Sequence, residues 1–389
     1  MVNFDQQYNR KETNSVKWDA IQEMYQQDDL LPLWVADMDF RVHQPVLDAM
    51  TRYIDQGILG YSIFPNSLYE AIQAWQKERH NYIVEKEAIL FNSGVVPSVA
   101  LAVQAFTNVG DAILIHDPVY HPFAKVIKSN QRQVIRQPLV EQEGKFMVDF
   151  KEMEAAIVEN EVKLFILCNP HNPGGRVWSL DELQQMGNLC RRHNVLVISD
   201  EIHQDLIFAP AQFTTFMNAD PSFKDFSLTL TAATKTFNLA GIKNSMVFIH
   251  NSDLRKRFAT VQEKNQQTEI NTLGLIGTEA AYKHGETWLE ELLDYLQENI
   301  AVVQEYLQTE LPKVHMMQPE GTYLLWLDLS AYGLSDKQME NQLLKLGKVV
   351  LNTGVTFGPA GTQHMRLNIA CPKATLLEGL LRIKKALEG

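Results

Sequence analysis

The segment Val195-Leu196-Val197-Ile198-Ser199-Asp200-Glu201 indicates the fold class of this chain. Residues Val195–Ser199 are short, apolar and rich in β-branched side chains, as expected of a strand buried on both faces of a parallel sheet. Further runs of this kind lie between residues 90 and 250, at Ala112–His116, Lys163–Cys168, Phe226–Leu230 and Ser245–His250. Helix-like segments alternate with these runs. We therefore predict an α/β fold with a mainly parallel sheet and helices on both of its faces.

The clearest predicted helix spans Ser179–Arg192. Ser179 and Glu182 have the spacing of a capping box. Apolar side chains recur at helical spacing at Leu180, Leu183, Met186, Leu189 and Cys190. The basic residues Arg191 and Arg192 complement the dipole at the C-terminal end.

The chain changes character after residue 250. Residues 252–306 are polar and rich in helix formers, with Gly274 and Gly277 as interruptions, and they predict a long pair of connecting helices. Strand-like runs follow at Tyr323–Asp328, Val349–Leu351 and Met365–Ile369. This pattern predicts a smaller C-terminal α/β domain. We expect an N-terminal arm with part of the small domain in residues 1–45, a large domain in 46–285 and the small domain in 286–389.

Composition disfavours several classes of protein. The net charge of −12 and the lack of a long basic cluster argue against a nucleic-acid partner. The three cysteines, Cys168, Cys190 and Cys371, form no Cys-x-x-Cys pair, so neither a disulfide framework nor a metal site is expected. Residues 1–5 do not read as a signal peptide, and no apolar stretch is long enough for a membrane span. We expect a soluble cytoplasmic protein without a membrane partner.

Three polar residues follow the ends of predicted strands: Asn172, Asp200 and Lys235. Because ligands bind beyond the carboxyl ends of parallel strands, we expect these side chains to converge. A buried acid is costly unless it is paired, and a protonated pyridine nitrogen would pair Asp200. A lysine with a depressed pKa is a nucleophile, so the chemistry that fits best is a Schiff base between Lys235 and pyridoxal phosphate (PLP).

Each of these residues also has an ordinary structural interpretation. Asn172 precedes a proline and suits an Asx turn. Asp200 suits a helix cap or an ion pair, and a single lysine is usually a solvated surface residue. Apolar neighbours on both sides of Lys235 argue against that last interpretation.

Other residues are candidates for the same site. The turn Ser93–Pro97 opens an apolar helix and could hold a phosphate through its backbone N–H groups. Tyr120 could stack on a planar ring, although a packed turn tyrosine is the simpler interpretation. His203 could lie beside the ring or be a satisfied core histidine. Arg366 could bind a substrate carboxylate through its bidentate fork or serve in an ion pair.

With these motifs in view, the chain resembles the fold-type I PLP enzymes of the aminotransferase class I/II superfamily, and within it the cystathionine β-lyase (C–S lyase) group. The matching stretches are Leu31–Phe40, Gly60–Ser62, Ser93–Pro97, Asp117–Pro122, Asn169–Trp178, Ser199–His203, Thr234–Gly241, Pro319–Tyr323 and Arg366–Pro372. They cover most of the chain in family order. The stretches Trp34–Phe40 and Ser199–His203 are typical of the lyase group rather than of ordinary transaminases.

The resemblance implies a role for each candidate. Lys235 would carry the cofactor as a Schiff base, and Lys235 and Tyr120 would be the catalytic residues. Cofactor-binding roles would fall to Gly94, Val95, Tyr120, Asn172, Asp200, His203, Thr234 and Lys235. Tyr61 would reach the phosphate of a partner subunit, which implies a homodimer with shared active sites. Arg366 would bind the α-carboxylate of a small amino-acid substrate.

The chain departs from the family pattern at three positions. Lys243 stands where many members have arginine, which leaves its contact with the phosphate open. His203 stands where many transaminases have tyrosine. Gly174 stands where the Asn-Pro-x-Asn-Pro-Thr-Gly loop usually has threonine, a change expected to alter the stiffness of the loop but to spare Asn172.

The resemblance implies a PLP-dependent lyase of sulfur amino-acid metabolism that eliminates a thiol from an L-cysteine-derived thioether to give pyruvate and ammonia. A PLP-dependent aminotransferase, as main or side activity, is the alternative, since both reactions begin with removal of the Cα proton. A regulatory protein of the same fold, acting through protein contacts, is a third hypothesis, although no helix-turn-helix domain is evident. A nicotinamide-binding protein is disfavoured because no Gly-x-Gly-x-x-Gly follows an early strand.

Overall fold

A central sheet of seven strands organises the computed structural model, which describes residues 2–389. In chain order the strands are β1 Leu31–Pro32, β2 Ile89–Asn92, β3 Ala112–Asp117, β4 Gln133–Pro138, β5 Val140–Gln142, β6 Lys145–Met147, β7 Leu164–Cys168, β8 Leu196–Asp200, β9 Ser227–Thr231, β10 Ser245–Phe248, β11 His315–Met316, β12 Leu324–Asp328, β13 Val349–Val350, β14 Asn352–Thr353 and β15 His364–Asn368. The central sheet has the order β2-β10-β9-β8-β7-β3-β4. β10 runs antiparallel to both of its neighbours, β2 and β9, and the other neighbouring pairs among these described strands are parallel. The predicted mainly parallel sheet is confirmed.

The two faces of the central sheet are covered by different sets of helices. In chain order the helices are α1 Ala20–Tyr25, α2 Gln44–Asp55, α3 Asn66–His80, α4 Val95–Phe106, α5 Pro122–Ser129, α6 Phe150–Glu159, α7 Leu180–Arg192, α8 Phe216–Ala219, α9 Ala233–Thr236, α10 Ser252–Lys264, α11 Thr272–His284, α12 Glu286–Glu310, α13 Asp336–Gln342 and α14 Lys373–Glu388. Ile166 and Ile198 share a core with α4 and α10, whereas Phe165 and Val197 pack with α6 and α7 on the other face. Burial on both faces explains why these strands read as continuous apolar runs.

The predicted capping box at the start of α7 is present. The side-chain oxygen of Ser179 accepts a hydrogen bond from the Glu182 N–H at 3.3 Å, and the Ser179 N–H donates to the Glu182 carboxylate at 2.8 Å. These bonds satisfy donors that a helix start would otherwise leave free.

The predicted helix pair in residues 252–306 is instead three helices, α10, α11 and the start of α12. Gly274 and Gly277 do not interrupt a helix but lie inside α11. A Cβ on Gly274 would lie 2.7 Å from the Ile242 carbonyl oxygen, so glycine here lets α11 pack closely against the turn at Ala240–Ile242. The break falls at Gly285, between α11 and α12.

A second, smaller sheet has the order β11-β12-β15-β14 and is antiparallel. The N-terminal segment joins this part of the fold, because β1 pairs in parallel with β13. The Asp39 N–H also donates to the carbonyl of Ala370. The proposed domain limits at residues 45 and 285 stay a prediction. None of the helices in residues 2–389 has the length and apolar character needed to cross a membrane.

A buried ion cluster fixes the N-terminal segment. Lys17 is fully buried, and its amine contacts the Asp39 carboxylate at 2.7 Å. Arg10 contacts Asp39 at 2.7 Å and Asp37 at 2.7 Å, and the Trp18 indole N–H donates to Asp39. Burial by itself raises the pKa of Asp39, but Lys17, Trp18 and Arg10 outweigh it and the pKa is lowered overall.

We predict that Lys17→Met destabilises the protein by about 3 kcal/mol at neutral pH, because it leaves a buried carboxylate partly unpaired. Lys384→Met is the matched control, since it removes an exposed ion pair with Glu310 and is expected to cost less than about 1 kcal/mol. Urea unfolding measures the loss of stability in both variants.

The lowered pKa of Asp39 stabilises the fold at pH values above the ordinary pKa of 3.8, and this contribution is lost as the pH falls through the folded-state pKa. The acid-sensitive part of the stability should therefore shrink in Lys17→Met, and equal losses in the two variants would contradict the prediction.

Candidate active site

A cavity of about 580 Å³ lies where the loops after β2, β3, β7, β8 and β9 meet. The residues expected from the sequence that line it are Gly94, Val95, Tyr120, Asn172, Asp200, His203, Thr234 and Lys235, and Lys243 lines it as well. In the sheet, Asp200 pairs with Cys168 on one side and with Leu230 on the other, so these strands end level with one another. The carboxyl edge of the sheet therefore brings the predicted residues together.

Lys235 lies in α9, just beyond the end of β9. Its amine donates to the Ala36 carbonyl at 2.6 Å. Desolvation inside the cavity, with the charge of Arg366, lowers the pKa of Lys235 to about 8, although Asp37 and Asp200 act in the opposite direction. A lysine with this pKa has a substantial neutral fraction near neutral pH and can act as a nucleophile or a base.

Asp200 ends β8 and is 3% exposed. Its side chain accepts a hydrogen bond from the Ile202 N–H at 3.2 Å. Burial raises the pKa of Asp200 to about 7, although the Ile202 N–H and Lys235 favour the charged form. A carboxylate in this setting is stabilised by a cationic hydrogen-bond donor, and the protonated nitrogen of a pyridine ring is such a donor.

Arg366 is held next to Asn172. Its Nη1 donates to the Asn172 Oδ1 at 3.0 Å, and its Nη2 donates to the Trp34 carbonyl at 2.9 Å and to the Asn352 Oδ1 at 2.6 Å. The guanidinium lies 4.9 Å from the ring centre of Phe357, and its Nε has no partner. Within residues 2–389 no carboxylate forms an ion pair with Arg366, so this buried cation is suited to a carboxylate from a ligand.

The Asn172 side chain is oriented by the same contact. Because its Oδ1 accepts from Arg366, its amide nitrogen is available as a donor to an acceptor in the cavity. One contact therefore couples a ring-binding candidate to the carboxylate-binding candidate.

Tyr120 and His203 contribute rings to the cavity wall. Burial raises the pKa of Tyr120, and the nearby Asp200 adds to the effect. His203 is 2% exposed, and its Nδ1 has no hydrogen-bond partner in the described residues. Burial is the largest cause that lowers the pKa of His203, and the charges of Lys235 and Arg366 lower it further. The ring is therefore neutral. The His203 ring meets the edge of Tyr323 at 5.9 Å.

One end of the cavity suits an anion. Gly94 and Val95 lie at the start of α4, a helix of 12 residues whose first N–H groups have no partner within the helix. Thr234 adds a hydroxyl, and Lys243 adds a cation. A phosphate fits this end, a cationic ring nitrogen fits Asp200, and a carbonyl carbon fits the Lys235 amine. PLP carries all three of these groups: a phosphate, a ring nitrogen and a carbonyl carbon.

Tyr61 lies apart from this cavity. It is 100% exposed in the loop between α2 and α3, where Ile58, Leu59 and Ile63 are 78%, 68% and 81% exposed. The role that the resemblance implies for Tyr61 therefore stays a prediction, since it requires a second subunit.

Sequence reasoning missed the Ala36 carbonyl, which accepts from Lys235 at 2.6 Å and from the Tyr323 hydroxyl at 2.9 Å. It also missed Asp205, a buried carboxylate behind α9. Asp205 accepts from the hydroxyl of Thr236, the neighbour of Lys235, and from the Trp75 indole, and it contacts His80. A backbone carbonyl has no sequence signature, whereas an acid five residues beyond Asp200 was a visible signal for Asp205.

The glycine at position 174 has a structural reason. A Cβ on Gly174 would lie 2.4 Å from the ring of Phe146, which belongs to β6. The Phe146 carbonyl also accepts from Arg176 Nε. The hairpin of β5 and β6 therefore occupies the space that a threonine side chain would need, and the loop retains Asn172 in the cavity.

Comparisons with known proteins agree with this geometry. A family model described as aminotransferase class I and II matches residues 28–383. The chain is 43% identical over 386 residues to cystathionine beta-lyase PatB of Bacillus subtilis, which covers 99% of this chain and 100% of that protein. Among solved structures, cystalysin from Treponema denticola, which contains pyridoxal 5'-phosphate, matches with a TM-score of 0.97 and 33% identity over 100% of this chain and 99% of that one. The PLP-bound C-S lyase from Staphylococcus hominis matches with a TM-score of 0.93 and 33% identity over 100% of this chain and 98% of that one.

We predict that Lys235 of the cofactor-free protein reacts half-maximally with an acylating reagent near pH 8, because its lowered pKa makes the neutral amine available there. Ordinary lysine side chains titrate at about 10.4 and provide the internal reference. Arg366→Gln should move the Lys235 curve to higher pH, since the charge of Arg366 lowers this pKa. Peptide mass spectrometry after labelling at a series of pH values measures the curves. A Lys235 curve that coincides with those of the exposed lysines would show that the amine is not perturbed.

Proposed function

Because the chain belongs to the aminotransferase class I and II family, and because the full-length relative from Bacillus subtilis is a cystathionine beta-lyase, we propose that it is a PLP-dependent carbon–sulfur β-lyase. It eliminates a thiol from an L-cysteine-derived thioether and yields pyruvate and ammonia. The observation that carries the proposal is the 43% identity to that lyase over the whole chain. The convergence of Lys235, Asp200 and Asn172 at one cavity supports it, together with the contact between Arg366 and Asn172.

When bound, PLP supplies an electron sink for the pair of electrons that remains when Cα loses its proton. The protein groups proposed to hold the cofactor are Gly94, Val95 and Thr234 at the phosphate, Tyr120 and His203 beside the ring, Asn172 at the ring oxygen and Asp200 at the ring nitrogen. Asp200 keeps that nitrogen protonated, because a buried carboxylate stabilises a cationic partner. Lys235 would hold the cofactor through its amine.

Lys235 is the proposed base. Its free Nζ would take the proton from the substrate Cα. Arg366 would orient the substrate by binding its α-carboxylate through the guanidinium fork, and its contact with Asn172 holds the guanidinium in place. The electron pair left at Cα forms a Cα=Cβ bond as the Cβ–S bond breaks, the Cβ–S pair leaves with sulfur, and the thiolate takes a proton from water to give the thiol. Hydrolysis of the remaining three-carbon enamine gives pyruvate and ammonia.

The proposal includes a homodimer. Each subunit presents Tyr61 from an exposed loop that also carries Ile58, Leu59 and Ile63. Apolar side chains at this level of exposure favour burial against another surface. In the proposed dimer, Tyr61 of one subunit reaches the phosphate end of the partner's cavity. A cytoplasmic location belongs to the same proposal, since Cys168, Cys190 and Cys371 are free thiols.

We predict that the purified protein releases pyruvate from cystathionine without any keto-acid acceptor, and that Lys235→Ala lowers this rate about a thousandfold or more through loss of the base. The exposed Lys256→Ala is the matched control and should keep the rate. A coupled pyruvate assay with purified proteins measures both. Pyruvate that appears only when a keto acid is added would indicate an aminotransferase, and a Lys235→Ala variant as active as the parent would refute the assignment of the base.

Hybrid dimers test the proposed sharing of sites. Lys235→Ala and Tyr61→Ala should each have little activity alone, because each lacks one proposed group at both sites. When the two variants are unfolded, mixed and refolded together, half of the dimers are hybrids with one intact site, so about a quarter of all sites should be restored. The pyruvate assay on the refolded mixture measures the recovery. No recovery, in a mixture that forms hybrids by mass spectrometry, would contradict a shared site.

A further inference from the structure

Two loops that line the cavity are joined by one buried imidazole. The loop after β3 carries Tyr120, and the loop after β7 carries Asn172. His171, which directly precedes Asn172, is fully buried, and its Nε2 lies 3.0 Å from the carbonyl oxygen of Pro118. Within residues 2–389, this is the one hydrogen bond between residues 118–122 and residues 169–175. It therefore links loops that the sheet positions only up to the ends of β3 and β7.

The hydrogen bonds also define which ring nitrogen of His171 carries the proton. The Gly174 N–H donates to Nδ1 at 3.4 Å, so Nδ1 must be unprotonated. In a neutral ring Nε2 then bears the hydrogen and donates it to the Pro118 carbonyl. Burial, with the nearby His116 and Arg176, lowers the pKa of His171 to about 3, which keeps the ring neutral.

Aromatic rings prevent the imidazole from turning away. Phe146 and Trp178 meet the His171 ring edge-on at 5.5 and 5.8 Å. Trp178 is itself fixed by a hydrogen bond from its indole N–H to the Cys168 carbonyl at 2.9 Å. Both nitrogens of the ring are thus used, and the ring has little room for another orientation.

We infer that His171 is a positioning residue that fixes Asn172 relative to Tyr120 through its bond to Pro118, and so sets how a planar cofactor lies in the cavity. This inference rests on the proposed function, because it assumes that the cavity binds PLP. The groups concerned hold different parts of the proposed cofactor: Tyr120 stacks on the ring face, and Asn172 reaches the ring oxygen at the edge. A shift of one loop against the other would tilt the ring relative to Asp200 and Lys235, and small misplacements of reacting groups lower rates strongly.

Two substitutions test separately the two hydrogen bonds of His171, to Pro118 and from Gly174. In His171→Gln the longer amide can still donate to Pro118 but does not reproduce Nδ1 for Gly174. In His171→Asn the shorter amide can still accept from Gly174 but does not reach Pro118. His116→Asn is the matched control, because His116 is also a fully buried histidine, but its Nδ1 bonds to Gln137 and its Nε2 has no hydrogen-bond partner in the described residues.

The readouts are the dissociation constant of PLP, the visible circular dichroism per bound cofactor and the urea stability of the cofactor-free protein. For His171→Asn we expect about tenfold weaker PLP binding, since the cofactor must then order the two loops without a hydrogen bond worth about that factor, together with a changed dichroism signal. His171→Gln should bind PLP within about threefold of the parent and keep its dichroism. His116→Asn should lose stability but keep both cofactor readouts.

Unchanged PLP binding and dichroism in His171→Asn would overturn the inference, and so would equal defects in the Asn and Gln variants. If the parent protein itself did not bind PLP, the proposed function would fail instead, so the two failures are distinct. Should His171→Asn not fold, nitrogen-15 spectra of histidine-labelled parent protein decide the matter. A neutral ring protonated at Nε2 from about pH 5 to 8 supports the inference, and protonation at Nδ1 overturns it.

Discussion

The site depends on one constraint, which is that the Asp200 carboxylate and the Lys235 amine at the edge of the central sheet share a desolvated region with the Arg366 guanidinium, which comes from the smaller sheet. Burial alone destabilises each charge, and the pKa values of Asp200 and Lys235 move toward neutrality at about 7 and 8. Arg366 lacks an acidic partner among the described residues. Such an arrangement is poor for stability and good for ligand binding, because an incoming cation and an incoming carboxylate each complete a pair that the protein leaves unmade.

The N-terminal segment is part of this arrangement rather than an appendage. The Ala36 carbonyl accepts from Lys235, and Asn238, three residues beyond that lysine, binds the Met38 backbone through both ends of its amide. The segment is held in turn by Asp39, whose buried pairing with Lys17 anchors it to the preceding residues. The ion cluster is therefore connected to the lysine in two ways, through the backbone at Ala36 and through the charge of Asp37, which favours the charged form of Lys235.

Much of this organisation follows from local sequence. Strands buried on both faces give continuous apolar runs, and residues just beyond them meet because parallel strands end at one edge, as Asn172, Asp200 and Lys235 do. Contacts of a side chain with a distant backbone group could not be predicted from the sequence. The Lys235 amine binds the Ala36 carbonyl, 199 residues away, and a carbonyl is present at every position. Gly274 was read as a helix interruption because glycine is a poor helix former, yet it serves close packing inside α11. His171 lies in the stretch Asn169–Trp178, but its hydrogen-bond partner, the Pro118 carbonyl, is evident only in the folded structure.

The same contacts bear on how Lys235 handles the proton that it takes in the proposed reaction. An aminotransferase must return that proton to the cofactor, whereas a lyase must retain it while the sulfur leaves. Asp37 and Asp200 both favour the charged form of Lys235, and the Ala36 carbonyl accepts a hydrogen bond from the amine. Burial and the charge of Arg366 outweigh these carboxylates, so the pKa of Lys235 is lowered to about 8 overall. Since Ala36 and Asp37 belong to the segment Trp34–Phe40, this part of the chain supplies both a hydrogen-bond acceptor and a charge to the surroundings of Lys235.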